Sequence, residues 1–244
     1  MYSWKAIRIV AAILLLIPIL HLALLISGET LSSLDTSPQV WTSEVDAYAQ
    51  ADRLVKRPVD PIVIAGGRRV TLWQGLSDLL APTTVLMRGL GDATVNDISF
   101  HYSRLIGFYQ PHTVVLLPGN SEFHVRDNKS AAELVAAIRE LVELDLSHRK
   151  GDRFYVFAPL KTLLYPGDHA KIEEVTRQLY SLARTNKHLE VLDANRLLSD
   201  RSGAPKPAYF RADGVNLNEL GYTRLSMLLL SKLEQHNPDM YGQL

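Results

Sequence analysis

The chain has 244 residues, 26 acidic and 26 basic side chains, and no cysteine. Balanced charge excludes the bulk positive field of a general nucleic-acid binder, and the lack of cysteine excludes disulfides, thiolate metal sites and a cysteine nucleophile. With an apolar leader set aside, the remainder is long enough for one domain with a full core.

The leader comes first. Residues 9–26 carry no charge and are interrupted only by Pro18 and His21, which is close to the ~20 residues that cross a bilayer as a helix. Lys5 and Arg8 precede this run and Glu29 follows it, so the positive-inside rule keeps the amino terminus in the cytoplasm and exports the rest through the inner membrane. A cleaved signal peptide is the alternative, with Ser27-Gly28 as small residues for a protease, although the run exceeds the roughly 7–15 apolar residues of a cleavable segment. His21 is expected to face a partner helix or the membrane interface. The organisation expected is an anchor over residues 1–27, a polar tether over 28–57 with one short helix near 43–55, a folded domain over 58–237 and a tail over 238–244.

Within the domain, short apolar runs alternate with helical stretches, the pattern of a parallel sheet covered on both faces. Strands are predicted over residues 62–65 (IVIA), 84–87 (TVLM), 113–117 (TVVLL), 154–158 (FYVFA) and 189–192 (LEVL), all rich in β-branched or aromatic residues. Helices are predicted over residues 70–80, 94–109, 130–146, 170–185 and 218–236. In the third, Leu134, Ala137, Ile138, Leu141 and Val142 recur at three- and four-residue steps, so one face packs on the sheet. The fold class is a three-layer α/β/α sandwich with a five-stranded parallel sheet, flavodoxin-like in plan and preceded by one transmembrane helix.

Ligands of such sheets bind outside the carboxyl ends of the strands, so the segments after each strand are the candidate site. The first reads Gly66-Gly67-Arg68-Arg69-Val70-Thr71-Leu72-Trp73, the second Arg88-Gly89-Leu90-Gly91-Asp92-Ala93-Thr94 and the third Pro118-Gly119-Asn120-Ser121-Glu122. Before the last helix stands Asp213-Gly214-Val215-Asn216-Leu217-Asn218-Glu219-Leu220-Gly221-Tyr222. In that order they resemble the blocks of SGNH (GDSL-type) hydrolases, over roughly residues 60–235. In that family a serine in the first block attacks an ester carbonyl, a histidine three residues after the aspartate of the last block takes its proton, and the aspartate orients the histidine. A glycine N–H and an asparagine amide stabilise the oxyanion.

The resemblance places Arg68 at the serine, Asn216 at the histidine and Ser121 at the oxyanion asparagine, with Asn120 one residue away; Gly91 and Asp213 are retained. No serine lies between Ser43 and Ser77, so a small shift of the alignment supplies no nucleophile. An arginine stays protonated and cannot attack, and an asparagine amide cannot take the proton. The resemblance therefore implies a degenerate hydrolase domain.

Two readings stay open for Arg68 and Arg69. They form a pocket for a carboxylate, sulfate or phosphate, or Arg68 pairs with Asp213 or Glu122 and fills the vacated site. His124 and His169, with Glu122, Asp168 and Asp213, form a relocated acid/base or metal set, or are solvated loop histidines whose spacing matches no metal motif. Trp73 is expected in the core. No cofactor, resident metal or nucleic acid is expected. The implied partners are the membrane, a cell-envelope polysaccharide or lipid, and an active enzyme; an O-acyl esterase working through substituted residues is the alternative.

Overall fold

Five short runs of β-branched and aromatic residues pair as one parallel sheet in the order β2-β1-β3-β4-β5. The computed structural model describes residues 36–124, 126–148 and 153–241, together with Leu14 and residues 16–18. The strands are β1 (Ile62–Gly66), β2 (Val85–Gly89), β3 (Thr113–Leu117), β4 (Arg153–Phe157) and β5 (Leu189–Leu192). The longer helices are α1 (Thr42–Asp52), α2 (Val95–Phe100), α3 (Ala131–His148), α4 (His169–Thr185) and α5 (Glu219–His236).

Alternation along β1 divides the core. Val63 and Ala65 face a cluster built with Val45 of α1, Ile98 of α2, Leu141 of α3 and Val175 of α4. Ile62 and Ile64 face a second cluster that includes Trp73, Leu76, Leu225 and Leu229. Both faces are buried, as a fully covered parallel sheet requires.

The structure departs from the sequence reading at three places. The helix expected over 70–80 is two short turns, Arg68–Thr71 and Leu76–Leu79. Gly75 between them takes a left-handed backbone (φ 77°), and Trp73 turns inward so that its indole N–H donates to Ser226 Oγ at 3.0 Å, which places it in the core as expected. The helix expected over 94–109 ends at Phe100 and continues as separate turns: the backbone leaves helical geometry at His101 (φ −93°, ψ 9°), whose buried ring has Nε2 at 2.8 Å from the Pro38 carbonyl. The tail residue Tyr241 is fully buried in the second cluster, so the folded unit extends past residue 237.

Part of the expected tether is also folded. Tyr48 of α1 donates its hydroxyl to the Gly89 carbonyl at 2.7 Å, and Asp52 holds Arg88 of β2 with both carboxylate oxygens at 2.9 Å. The Arg88 guanidinium lies between the rings of Tyr48 and Tyr109, each 4.8 Å away. The helix thus fastens to the edge strand β2. The apolar run 9–26 lies outside the described residues except for Leu14 and residues 16–18. Among the described residues no helix is long and apolar enough to cross a membrane.

Asp52→Ala leaves the Arg88 side chain, only 6% exposed, without its carboxylate. Because a buried charge stripped of its partner costs about 3–5 kcal/mol, the variant should lose about 3 kcal/mol in urea unfolding, whereas Asp46→Ala, at the exposed pair with Arg104, should change stability by less than about 1 kcal/mol.

Candidate functional site

The strand order reverses at β1: the chain leaves β1 for β2 on one side and later enters β3 on the other. A crevice forms where neighbouring connections depart to opposite faces of the sheet. At the end of β1, Gly66 lets the strand approach β3 closely, since a Cβ there would stand 2.3 Å from the Leu117 carbonyl oxygen. The resulting cleft, about 220 Å³, is lined from the β1 and β2 ends by Arg68, Arg69 and Asp92, and from the β3 end by Gly119, Asn120, Ser121 and His124. Leu164 and Tyr165 come from the segment after β4, and Asp213, Val215 and Asn216 from the loop before α5.

At the position of the family's nucleophile, Arg68 makes a two-pronged pair with Asp92: Nε donates to Oδ1 at 2.9 Å and Nη2 to Oδ2 at 2.8 Å. Asp92 is therefore its partner, in place of the Asp213 or Glu122 anticipated from the sequence. The hydrogen bonds and charge of Asp92 hold the guanidinium above its ordinary pKa. It is fully ionised and cannot attack a carbonyl.

At the other end of the expected triad, Asn216 donates its side-chain N–H to Asp213 Oδ2 at 2.8 Å. Asp213 Oδ1 accepts the backbone N–H groups of Val215 and Asn216, both at 2.8 Å. Partial burial pulls the Asp213 carboxyl upward, but these donors outweigh it and hold the group below its ordinary pKa. The aspartate orients Asn216 as it would a histidine, yet the amide it orients takes no proton at neutral pH.

The expected oxyanion donor is engaged as well. Gly91 N–H donates to Glu44 Oε2 of α1 at 3.0 Å, and Trp41 packs so close that a Cβ on Gly91 would lie 2.4 Å from its ring. Gly91 is not among the cleft-lining residues; Asp92 beside it is. Sequence reasoning missed Glu44, which stands 47 positions before Gly91 in a segment read as tether. It also missed Asp92 and Tyr165, although Asp92 directly follows the glycine and a cationic neighbour in the same crevice was a usable signal.

The remaining candidates separate. Asn120, Ser121 and His124 line the cleft. Glu122 does not: it is fully buried, accepts Val95 N–H at 2.6 Å at the start of α2 and pairs with Lys129 at 2.9 Å. Burial pushes its carboxyl up and the Lys129 ammonium opposes that, so Glu122 is a structural anchor and no ligand contact. His124 bonds Asp168 through Nε2 and stacks on Tyr165, with ring centroids 3.9 Å apart. His169 turns away from the cleft, with Nε2 at 2.9 Å from the Thr162 carbonyl. The two histidines therefore do not form one set. Among the described residues no group of three or more His, Asp or Glu could hold a metal ion.

No protein-family profile and no curated protein sequence matches the chain. Solved structures do. A GDSL-like lipase from Bacteroides thetaiotaomicron superposes with a TM-score of 0.67 at 17% identity, covering 79% of this chain and 98% of that one. A lipase/acylhydrolase from Enterococcus faecalis gives 0.59 at 15% identity over 72% and 96%. A catalytic mutant of an acetylxylan esterase from Geobacillus stearothermophilus gives 0.58 at 15% identity over 72% and 95%. The chain has the fold of GDSL-type hydrolases, as the sequence blocks imply.

Gly91→Ala drives a methyl group into the Trp41 ring, and overpacking of this kind costs about 1–3 kcal/mol. The loss should be largely recovered in Gly91→Ala with Trp41→Ala, measured against Trp41→Ala alone, so a double-mutant cycle in denaturant should return a favourable coupling of about 1 kcal/mol or more.

Proposed function

We propose that this chain is a membrane-anchored, extracytoplasmic domain with the GDSL hydrolase fold that binds a cell-envelope glycan or lipid, or presents it to a partner enzyme, without hydrolysing esters by the serine–histidine–aspartate route. The observation that carries the proposal is the state of the crevice: at each position the route needs, the side chain or N–H present is wrong for it or already bonded. Arg68 is paired with Asp92, Asn216 is held by Asp213, and Gly91 N–H is taken by Glu44. Loss of two triad members leaves only binding and oxyanion stabilisation, and here the glycine donor is already bonded.

The anchoring half of the proposal is supported by the uncharged run over residues 9–26 behind Lys5 and Arg8. It also has a geometric consequence. The described chain begins beside the carboxyl end of the sheet, with Trp41 against Gly91. Trp41 is fifteen positions beyond the end of the apolar run, a stretch that spans at most ~54 Å. An anchored cleft stays near the membrane surface, where envelope polymers are assembled or modified.

One observation favours a second reading. His124, oriented by Asp168, lines the same cleft as Ser121, and a histidine held by a carboxylate is the base half of a hydrolytic set. In that reading the chain is an O-acyl esterase of carbohydrate or lipid with relocated residues.

The full-length protein, recovered in salt-washed membranes and purified in detergent, should show no turnover of aryl acetate or acetylated xylan above buffer. Arg68→Ser, Asn216→His and Ser121→Asn rebuild the family's set, but Gly91 N–H remains engaged until Glu44→Ala is added. Weak esterase activity should therefore appear in the quadruple variant and be lower in the triple one. Turnover by the unmodified protein that vanishes in His124→Ala would establish the second reading instead.

A further inference from the structure

We infer that the cleft holds one anionic sugar unit, a hydroxylated ring bearing a carboxylate or phosphate, with Arg69 as the counter-ion of its charged group. The inference rests on reading the cleft as a binding site.

Arg69 is a buried cation, 2% exposed, that lines the cleft. Of a guanidinium's donors, Nη2 has an acceptor, the Val215 carbonyl at 3.2 Å, and buried Nε has none. Among the described residues two other arginines are buried, and each pairs with a carboxylate: Arg88 with Asp52 and Arg126 with Asp97. Both also leave Nε without an acceptor, so what distinguishes Arg69 is the lack of a direct ion pair: Asp213, in the same cleft lining, favours its charged form without bonding to it. Burial lowers its pKa to about 10, which still leaves it charged at neutral pH. A desolvated charge without a directly bonded counter-ion is costly to the fold; an anion entering the cleft supplies one.

The rest of the lining specifies what the anion is attached to. Arg68 and Asp92 neutralise one another. Asp213 accepts three N–H donors of the roughly four a carboxylate can take, so it retains capacity for a ligand hydroxyl. Asn120 and Ser121 add neutral polar groups, and Tyr165, backed by His124, adds a ring. The volume of about 220 Å³ is below the ~300–1,000 Å³ of drug-sized sites, which suits a single ring.

The test is calorimetric titration of the full-length protein in detergent with glucuronate, glucose 6-phosphate, glucose and inorganic phosphate, alongside melting temperatures. One or both acidic sugars should bind about tenfold or more tighter than glucose and tighter than inorganic phosphate; whichever of the two binds identifies a uronic acid or a sugar phosphate as the source. Arg69→Met should erase the preference and, without ligand, melt at or above the wild-type temperature. Arg69→Lys should keep part of the preference, and Arg68→Met most of it. Equal binding of glucose, no binding of either acidic sugar, inorganic phosphate binding as well as both, or retention of the preference in Arg69→Met would overturn the inference. So would a destabilised Arg69→Met whose wild-type parent gains nothing from the acids, since Arg69 would then be a structural tie to Val215. Ester turnover in the same preparations would contradict the binding reading while leaving an Arg69-dependent preference intact.

Discussion

The site depends on the reversal of strand order at β1. Because β2 and β3 flank β1, the segments leaving β1 and β3 run to opposite faces, and the sheet opens at its carboxyl end whatever residues stand there. Gly66 permits the close approach of β1 to β3, and the loop before α5 closes the cleft through Asp213, Val215 and Asn216. The fold thus supplies a concave site independently of its chemistry. Function is decided by a few side chains on that frame.

Those side chains share a feature: polar groups at the crevice find partners within the chain. In the lining, Arg68 has Asp92 and Asp213 has the turn that follows it; just behind it, Gly91 N–H has Glu44, and Glu122 has Lys129 and the start of α2. A hydrolase would need several of these groups free or aimed at a substrate. The chain shows a stabilised scaffold at the same places, and α1 is part of it, since one helix carries both Glu44 on the Gly91 N–H and Asp52 on the edge strand. Arg69 is the contrast, a buried cation at the cleft that makes no ion pair, Asp213 acting on it through charge alone.

How much of this was legible follows from the range of each interaction. The strands were readable because a doubly buried strand is a short run of apolar residues, and β3 and β5 fall on the expected residues 113–117 and 189–192. The site blocks were readable because they directly follow those strands. The helix expected over 70–80 failed because periodicity does not weigh Gly75, whose left-handed backbone separates the two turns, while Trp73 is tied inward by Ser226, 153 positions away. The role of α1 was missed for the same reason: its composition is that of a tether, and its order comes from Gly89, Arg88 and Gly91, some forty residues on. The separation of His124 from His169 depends on side-chain direction within loops, which spacing does not report.

The central claim is that no residue of the crevice is an activated nucleophile. Fluorophosphonate reagents bond covalently to serines activated by a neighbouring base, so intact-mass measurement after incubation tests the claim without knowledge of the substrate. The account predicts no adduct on the native full-length protein beyond that on the heat-denatured one. A single stoichiometric adduct, present only on the native protein and mapping to Ser121 or another cleft residue, would contradict it.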